Sequence, residues 1–238
     1  MQLVLSCEHG GDRIPREFRA AFVPPTSVLA SHRGHDPGTR ELGALLARTC
    51  DAPLFVNTTT RLLIDANRSV SHPRRFSRWS RGLAPQLRQH AERIWSAHRD
   101  AVAAAVEGAM VRGPVVHISV HSFTPRLSGV VRQVDVGFLY DPQRTLEREL
   151  VARWIAALSP LERRLRVRRN APYRGTADGL TTALRRRFPA DRYAGIELEV
   201  SQRFPNARGL AGRRRWTALQ RSIAASVVAC VGSLERFG

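Results

Sequence analysis

Apolar runs and helical stripes alternate along the 238 residues of the chain. Leu3 to Cys7 is a short apolar run that stops before Gly10-Gly11, the pattern of a buried strand followed by a loop. After Pro37-Gly38, Leu42, Leu45 and Leu46 recur at helical spacing. Pro53 to Val56 and Arg61 to Ile64 are predicted as two further strands, and residues 68 to 84, rich in Ser, Arg and Pro, as a long loop. Leu87, Ala91, Ile94, Trp95, His98, Val102 and Val106 share one face of a long helix that ends at Gly113-Pro114. Val115 to His121 has the character of a central strand, with another at Val134 to Tyr140 and a helix over 145–158. A weaker strand, Leu165 to Arg168, precedes a polar turn at Asn170 to Gly175. A helix over 178–187, the strand Gly195 to Val200 and a last helix with the stripe Trp216, Leu219, Ile223, Val227 and Val231 complete the pattern.

Strands separated by helices predict an α/β fold with a mainly parallel or mixed central sheet and helices on both faces. Ligands of such sheets gather beyond the carboxyl ends of the strands. The length fits one domain over residues 1–238, and a hydrophobic content of 43% is enough for its core. No apolar run approaches the roughly 20 residues needed to span a bilayer. The start of the chain lacks the basic segment of a secretory signal, and Cys7, Cys50 and Cys230 are too far apart and odd in number for a disulfide framework. The expected location is therefore the cytoplasm.

A formal net charge of +18 raises a nucleic-acid partner as an alternative of another class. All 38 basic residues are arginine, however, and they are dispersed apart from short clusters such as those at 163–164, 185–187 and 213–215. That pattern fits GC-rich coding better than a phosphate-gripping surface, and no nucleic-acid reader motif is present. The same charge favours small anionic substrates by steering. Phosphate loops, Cys-x-x-Cys pairs and Gly-x-Ser-x-Gly elbows are likewise missing, which argues against a kinase, an ATPase or an elbow-type serine hydrolase.

Polar residues instead collect at predicted strand ends. His9 precedes Gly10-Gly11, which let backbone pass close to a ligand, and Asp12 follows at His-x-x-Asp spacing. His121 ends the central strand, whereas His117, four residues earlier on the same face, reads as structural. Asp36 stands before a helix start, where it serves either as an N-cap or as a ligand. Arg61, Asp65, Asn67 and Arg68 could set guanidinium and amide groups against a substrate carboxylate, with Asp65 orienting an arginine. Arg174 lies in the polar turn that could close over a ligand. Glu197 and Glu199 share one face of an apolar strand, where buried carboxylates are costly unless they meet cations or do chemistry; one of them is the expected general base.

Taken in order, Ser6-Cys7-Glu8-His9-Gly10-Gly11, His32-Arg33-Gly34-His35-Asp36-Pro37-Gly38, Arg61 to Ser69, His121 to Pro125, Asn170 to Gly175 and Ile196 to Val200 resemble the N-formylglutamate amidohydrolase family over most of the chain. The resemblance implies a zinc-carboxypeptidase-like (phosphorylase/hydrolase-like) α/β fold and a small anionic N-acyl amino acid as substrate. It further implies hydrolysis of N-formyl-L-glutamate to formate and glutamate, or deacylation of another N-acyl or peptide-like acid. It implies one Zn²⁺ held by His9, His121 and a carboxylate, Asp12 or Asp36. Glu199, ahead of Glu197, takes the place of the catalytic glutamate, and Arg61, Asn67, Arg68 and Arg174 that of the substrate clamp.

Overall fold

A computed structural model describes residues 1–232; residues 233–238, the end of the domain expected from the sequence, lie outside the described residues. The strands are β1 (Gln2–Cys7), β2 (Leu54–Val56), β3 (Val115–Phe123), β4 (Arg126–Leu127), β5 (Val130–Val131), β6 (Val136–Leu139), β7 (Val167–Arg169) and β8 (Tyr193–Ser201). The helices are α1 (Thr26–Leu29), α2 (Thr39–Cys50), α3 (Pro85–Met110), α4 (Thr145–Leu161), α5 (Leu180–Arg187) and α6 (Gly209–Gly232). Six strands form one sheet in the order β2-β1-β3-β8-β6-β7. The pairs β1–β2, β1–β3, β3–β8 and β6–β7 are parallel, and β6 runs antiparallel to β8. The expected mixed α/β architecture is therefore present.

Period-two alternation explains how the sheet is covered. Along β1, Leu5 and Cys7 join the core beneath α2, α4 and α6, while Val4 faces the smaller core beneath α3 and α5. Some of the arginines serve this framework. Arg185 donates to Glu147, Arg166 to Asp135 and Arg215 to Glu162. Among the described residues, no helix is long and apolar enough to cross a membrane.

Two features depart from the sequence-based expectation. Arg61 to Ile64 is a turn, not a strand; Leu62, Leu63 and Ile64 are buried in a separate cluster with Phe18, Phe22 and Phe76. A short apolar run reports burial and not the partner that supplies it, and here the partners are loop aromatics instead of a neighbouring strand. Asp65 therefore lies at the end of a turn. The second departure is the β4–β5 hairpin, closed through Ser128 and Gly129 at φ 49 and 83, the left-handed pair that a two-residue hairpin turn requires. The reversed direction of β6 and β7 makes the sheet mixed, within the expectation. The segment after β7 returns across β6, held by Asn170 Oδ1, which accepts from the backbone N–H of Tyr140 (3.0 Å) and of Gly175 (3.1 Å). A Cβ at Gly137 would strike the Ala171 carbonyl, and one at Gly175 the Tyr140 backbone, so both glycines permit this close crossing.

His117 lies inside the sheet, bonded through Nε2 to Ser6 Oγ at 2.7 Å and through Nδ1 to Tyr193 Oη at 2.9 Å. Burial pushes its pKa down to about 4, against the opposing pull of Glu8. The unfolded chain, with histidine near 6.5, binds this proton first. Stability from neutral His117 is thus full above about pH 6.5 and falls as pH drops towards 4, by about 3 kcal/mol. Urea unfolding of wild type and His117→Gln across this window should show the extra loss only in wild type; equal pH slopes would count against the assignment.

Candidate active site

Three adjacent strand ends and one helix entrance build the site. β1 ends just before Glu8 and His9, β3 carries His121 near its end, and β8 carries Glu197 and Glu199. The β3–β8 register places Glu199 directly opposite His121 and Glu197 opposite Ser119. Asp36 arrives from the loop before α2, fixed by its backbone N–H donating to the His9 carbonyl at 3.0 Å. The shared cleft has a volume of about 360 Å³, lined by His9, Asp36, Arg61, Asn67, Arg68, His121, Arg174, Glu197 and Glu199 among others.

His9, Asp36 and His121 are buried, and a ligand atom from each lies within 4.8 Å of the others. Asp36 Oδ2 is 3.3 Å from His9 Nδ1 and 3.0 Å from His121 Nδ1. On its far side His9 Nε2 lies 2.7 Å from Asp65 Oδ1. A carboxylate accepts only, so this contact keeps a proton on Nε2 and leaves Nδ1, which faces Asp36, as the nitrogen that can yield its proton to a cation. Two imidazole nitrogens and a carboxylate oxygen facing one another suit a divalent cation such as zinc, and the donor set fits one.

The electrostatics point the same way. Burial opposes charge on His9, as does Arg61, yet Asp65 and Asp36 outweigh both and raise its pKa. Burial likewise opposes charge on His121, but Asp36 and Glu8 raise it well above the ordinary value. Burial disfavours the Asp36 anion too, and His9, His121 and Arg61 overcome it, holding this carboxyl far below its usual range. The centre therefore demands positive charge, from protons on imidazole or from a metal. Glu199 differs. Burial, with Asp36 and Glu197 adding repulsion, pushes it up to about 8 despite nearby His121, and its Oε2 is buried without a partner among the described residues.

The remaining candidates divide. Asp12 is exposed and outside both the cleft lining and the donor cluster, so Asp36 is the carboxylate brought to the histidines. Arg61 lines the cleft, but its guanidinium is already held by Asp65 (3.2 and 2.8 Å) and Asp36 (3.4 Å). It braces Asp36 and Asp65 while still facing the cleft. Asn67 Oδ1 accepts from the Leu180 N–H at 2.7 Å, which turns the amide nitrogen towards His121 and the cleft. Arg68 donates to the Asp178 carbonyl at 2.9 Å and remains partly open. Arg174 is exposed in the cleft and has no side-chain partner among the described residues. Glu197 accepts from Thr181 Oγ1 at 2.9 Å, an engagement that Glu199 lacks. The sequence reading gave no role to Glu8, which is fully buried behind His121; a carboxylate directly after an apolar strand was its only signal.

The family model for N-formylglutamate amidohydrolase matches residues 1–204. The chain belongs to the N-formylglutamate amidohydrolase family. The resemblance read from the motifs is borne out, and membership supports amidohydrolase activity. A solved gene product of Agrobacterium tumefaciens is 24% identical, with a TM-score of 0.76 over 98% of this chain and 92% of that one. The N-formylglutamate amidohydrolase of Ralstonia eutropha JMP134 is 23% identical, with a TM-score of 0.73 over 99% and 94%. No curated protein sequence matches the chain.

Zinc titration of purified protein should give about one tight site per chain. His121→Ala should lose it after the same mild dialysis, and Asp12→Asn should keep it. Equal zinc content in all three proteins would refute the donor set.

Proposed function

We propose that this family member hydrolyses the amide of an N-acyl amino acid, with N-formyl-L-glutamate the first candidate and formate and glutamate the products. The observation that carries the reading is Glu199: a buried carboxylate with a free oxygen, opposite His121 and lining the cleft. Zinc held by His9 Nδ1, Asp36 and His121 Nδ1 would polarise the amide carbonyl and make water a better nucleophile.

Glu199 takes the proton from the attacking water and delivers it to the departing amine nitrogen, so water's hydroxyl ends on the acyl carbon and its hydrogen on the amine. Positive charge at the neighbouring centre lowers the Glu199 pKa from its raised position, towards the range where it accepts that proton at neutral pH. Asn67 and Arg68 hold the α-carboxylate, and Arg174 at the mouth meets the side-chain carboxylate of a glutamyl group. Glu197, already engaged by Thr181, shapes the wall. A second reading, deacylation of a larger N-acyl acid, draws support from Phe123 and Leu127, apolar lining that a formyl group does not need.

Glu199→Gln should lower kcat by about 10²–10⁴ while retaining bound zinc. Undiminished turnover would remove Glu199 from the chemistry. Arg68→Ala should raise KM about 10- to 100-fold, the cost of one charge-assisted hydrogen bond. Assays with N-formyl, N-acetyl and N-succinyl forms of glutamate and alanine decide between the readings: preference for N-formylglutamate supports the first, and faster turnover of bulkier acyl groups the second.

A further inference from the structure

Glu8 is a fully buried carboxylate that the proposed chemistry does not use. Taking such a group out of water costs several kcal/mol unless its surroundings repay it. Its Oε2 accepts a hydrogen bond from Ser119 Oγ and lies 3.1 Å from His121 Nε2. His98, reaching in from α3 with its own side chain buried, sets Nε2 at 3.5 Å from Glu8 Oε1. Each of these two atoms is otherwise without a partner among the described residues.

The hydroxyl of Ser119 is the deciding detail. Because Ser119 Oγ spends its hydrogen on Glu8, it offers only lone pairs to His121 Nε2, 2.9 Å away. His121 Nε2 therefore faces two close acceptors, the Ser119 oxygen at 2.9 Å and the Glu8 carboxylate at 3.1 Å, with the Asn67 amide nitrogen farther off at 3.5 Å. Such an environment keeps a proton on Nε2, so Nδ1, 3.0 Å from Asp36 Oδ2, is the nitrogen that gives up its proton to a metal. His9 is treated identically by a different residue, since its Nε2 meets Asp65. Each imidazole of the donor cluster thus has its own buried carboxylate on the side away from the cleft.

We propose that Glu8 is the positioning residue for His121: through Nε2, directly and by way of Ser119, it selects the tautomer and ring orientation that present Nδ1 as a metal donor. His98 holds Glu8 in place from α3. Carboxylates behind ligand histidines also strengthen the donor nitrogen, and their loss lowers metal affinity about 10- to 100-fold. This role rests on the zinc-centre reading above.

The test compares wild type, Glu8→Gln and Asp65→Asn, each loaded with zinc. Affinity is measured by competition with a chelator, and ¹⁵N-edited NMR follows the imidazole N–H groups. Wild type should show His121 with the proton on Nε2 and the metal on Nδ1. Glu8→Gln should weaken zinc binding about 10- to 100-fold and move the His121 N–H signal while sparing that of His9, and Asp65→Asn should do the reverse. A wild-type His121 carrying its proton on Nδ1 would overturn the role even if Glu8→Gln fails to fold. Unchanged zinc affinity and an unmoved His121 signal in a folded Glu8→Gln would overturn it too. Failure of wild type to take up zinc would instead remove the centre itself.

Discussion

A carboxylate buried where three chain segments meet controls this molecule. Asp36 is almost completely withdrawn from water, and an isolated anion there would be intolerable. It persists because His9 from the end of β1, His121 from β3 and Arg61 from the turn after β2 all converge on it. The loop before α2 can therefore occupy one position only, and the strand ends must hold their register to keep their cations in reach. Fold and site share a single electrostatic requirement.

Around that requirement the carboxylates divide into distinct roles according to what surrounds them. Asp36 and Asp65 meet imidazole and guanidinium and remain anionic. Glu199, equally buried but without a hydrogen-bonded cation, is pushed the other way. Glu197, two residues along the same strand face, is tied to Thr181. Groups of the same chemistry are thus held anionic, pushed towards the protonated form or tied to a hydroxyl through geometry alone.

Much of this was legible in the sequence because it followed local rules. Periodicity placed β1, β3 and β8 and the long helices, and strand-end polarity pointed to His9, His121 and Glu199 before any contact was known. The failures share a cause. Leu62, Leu63 and Ile64 look like a strand because burial is encoded locally, whereas the identity of the burying partner is not. Asp12 sits at ligand spacing from His9, but the loop aims it at solvent, and the winning carboxylate comes from a segment 27 residues away in the chain. The two acids that hold Arg61 are likewise brought near only by the folded chain. Glu8 stood in plain view beside His9, but its purpose depends on Ser119, a pairing between strands that no linear spacing reveals.

The β4–β5 hairpin follows directly from the strand that supplies His121, yet it pairs only with itself and contributes no rung to the main sheet. Leu127 reaches the cleft from it, while Val130 is 68% exposed at its outer edge. Length and sequence can therefore drift in this finger without disturbing one ladder bond or any donor of the buried cluster. Within such a scaffold, the choice of acyl group and the machinery that cleaves it are free to evolve on separate clocks.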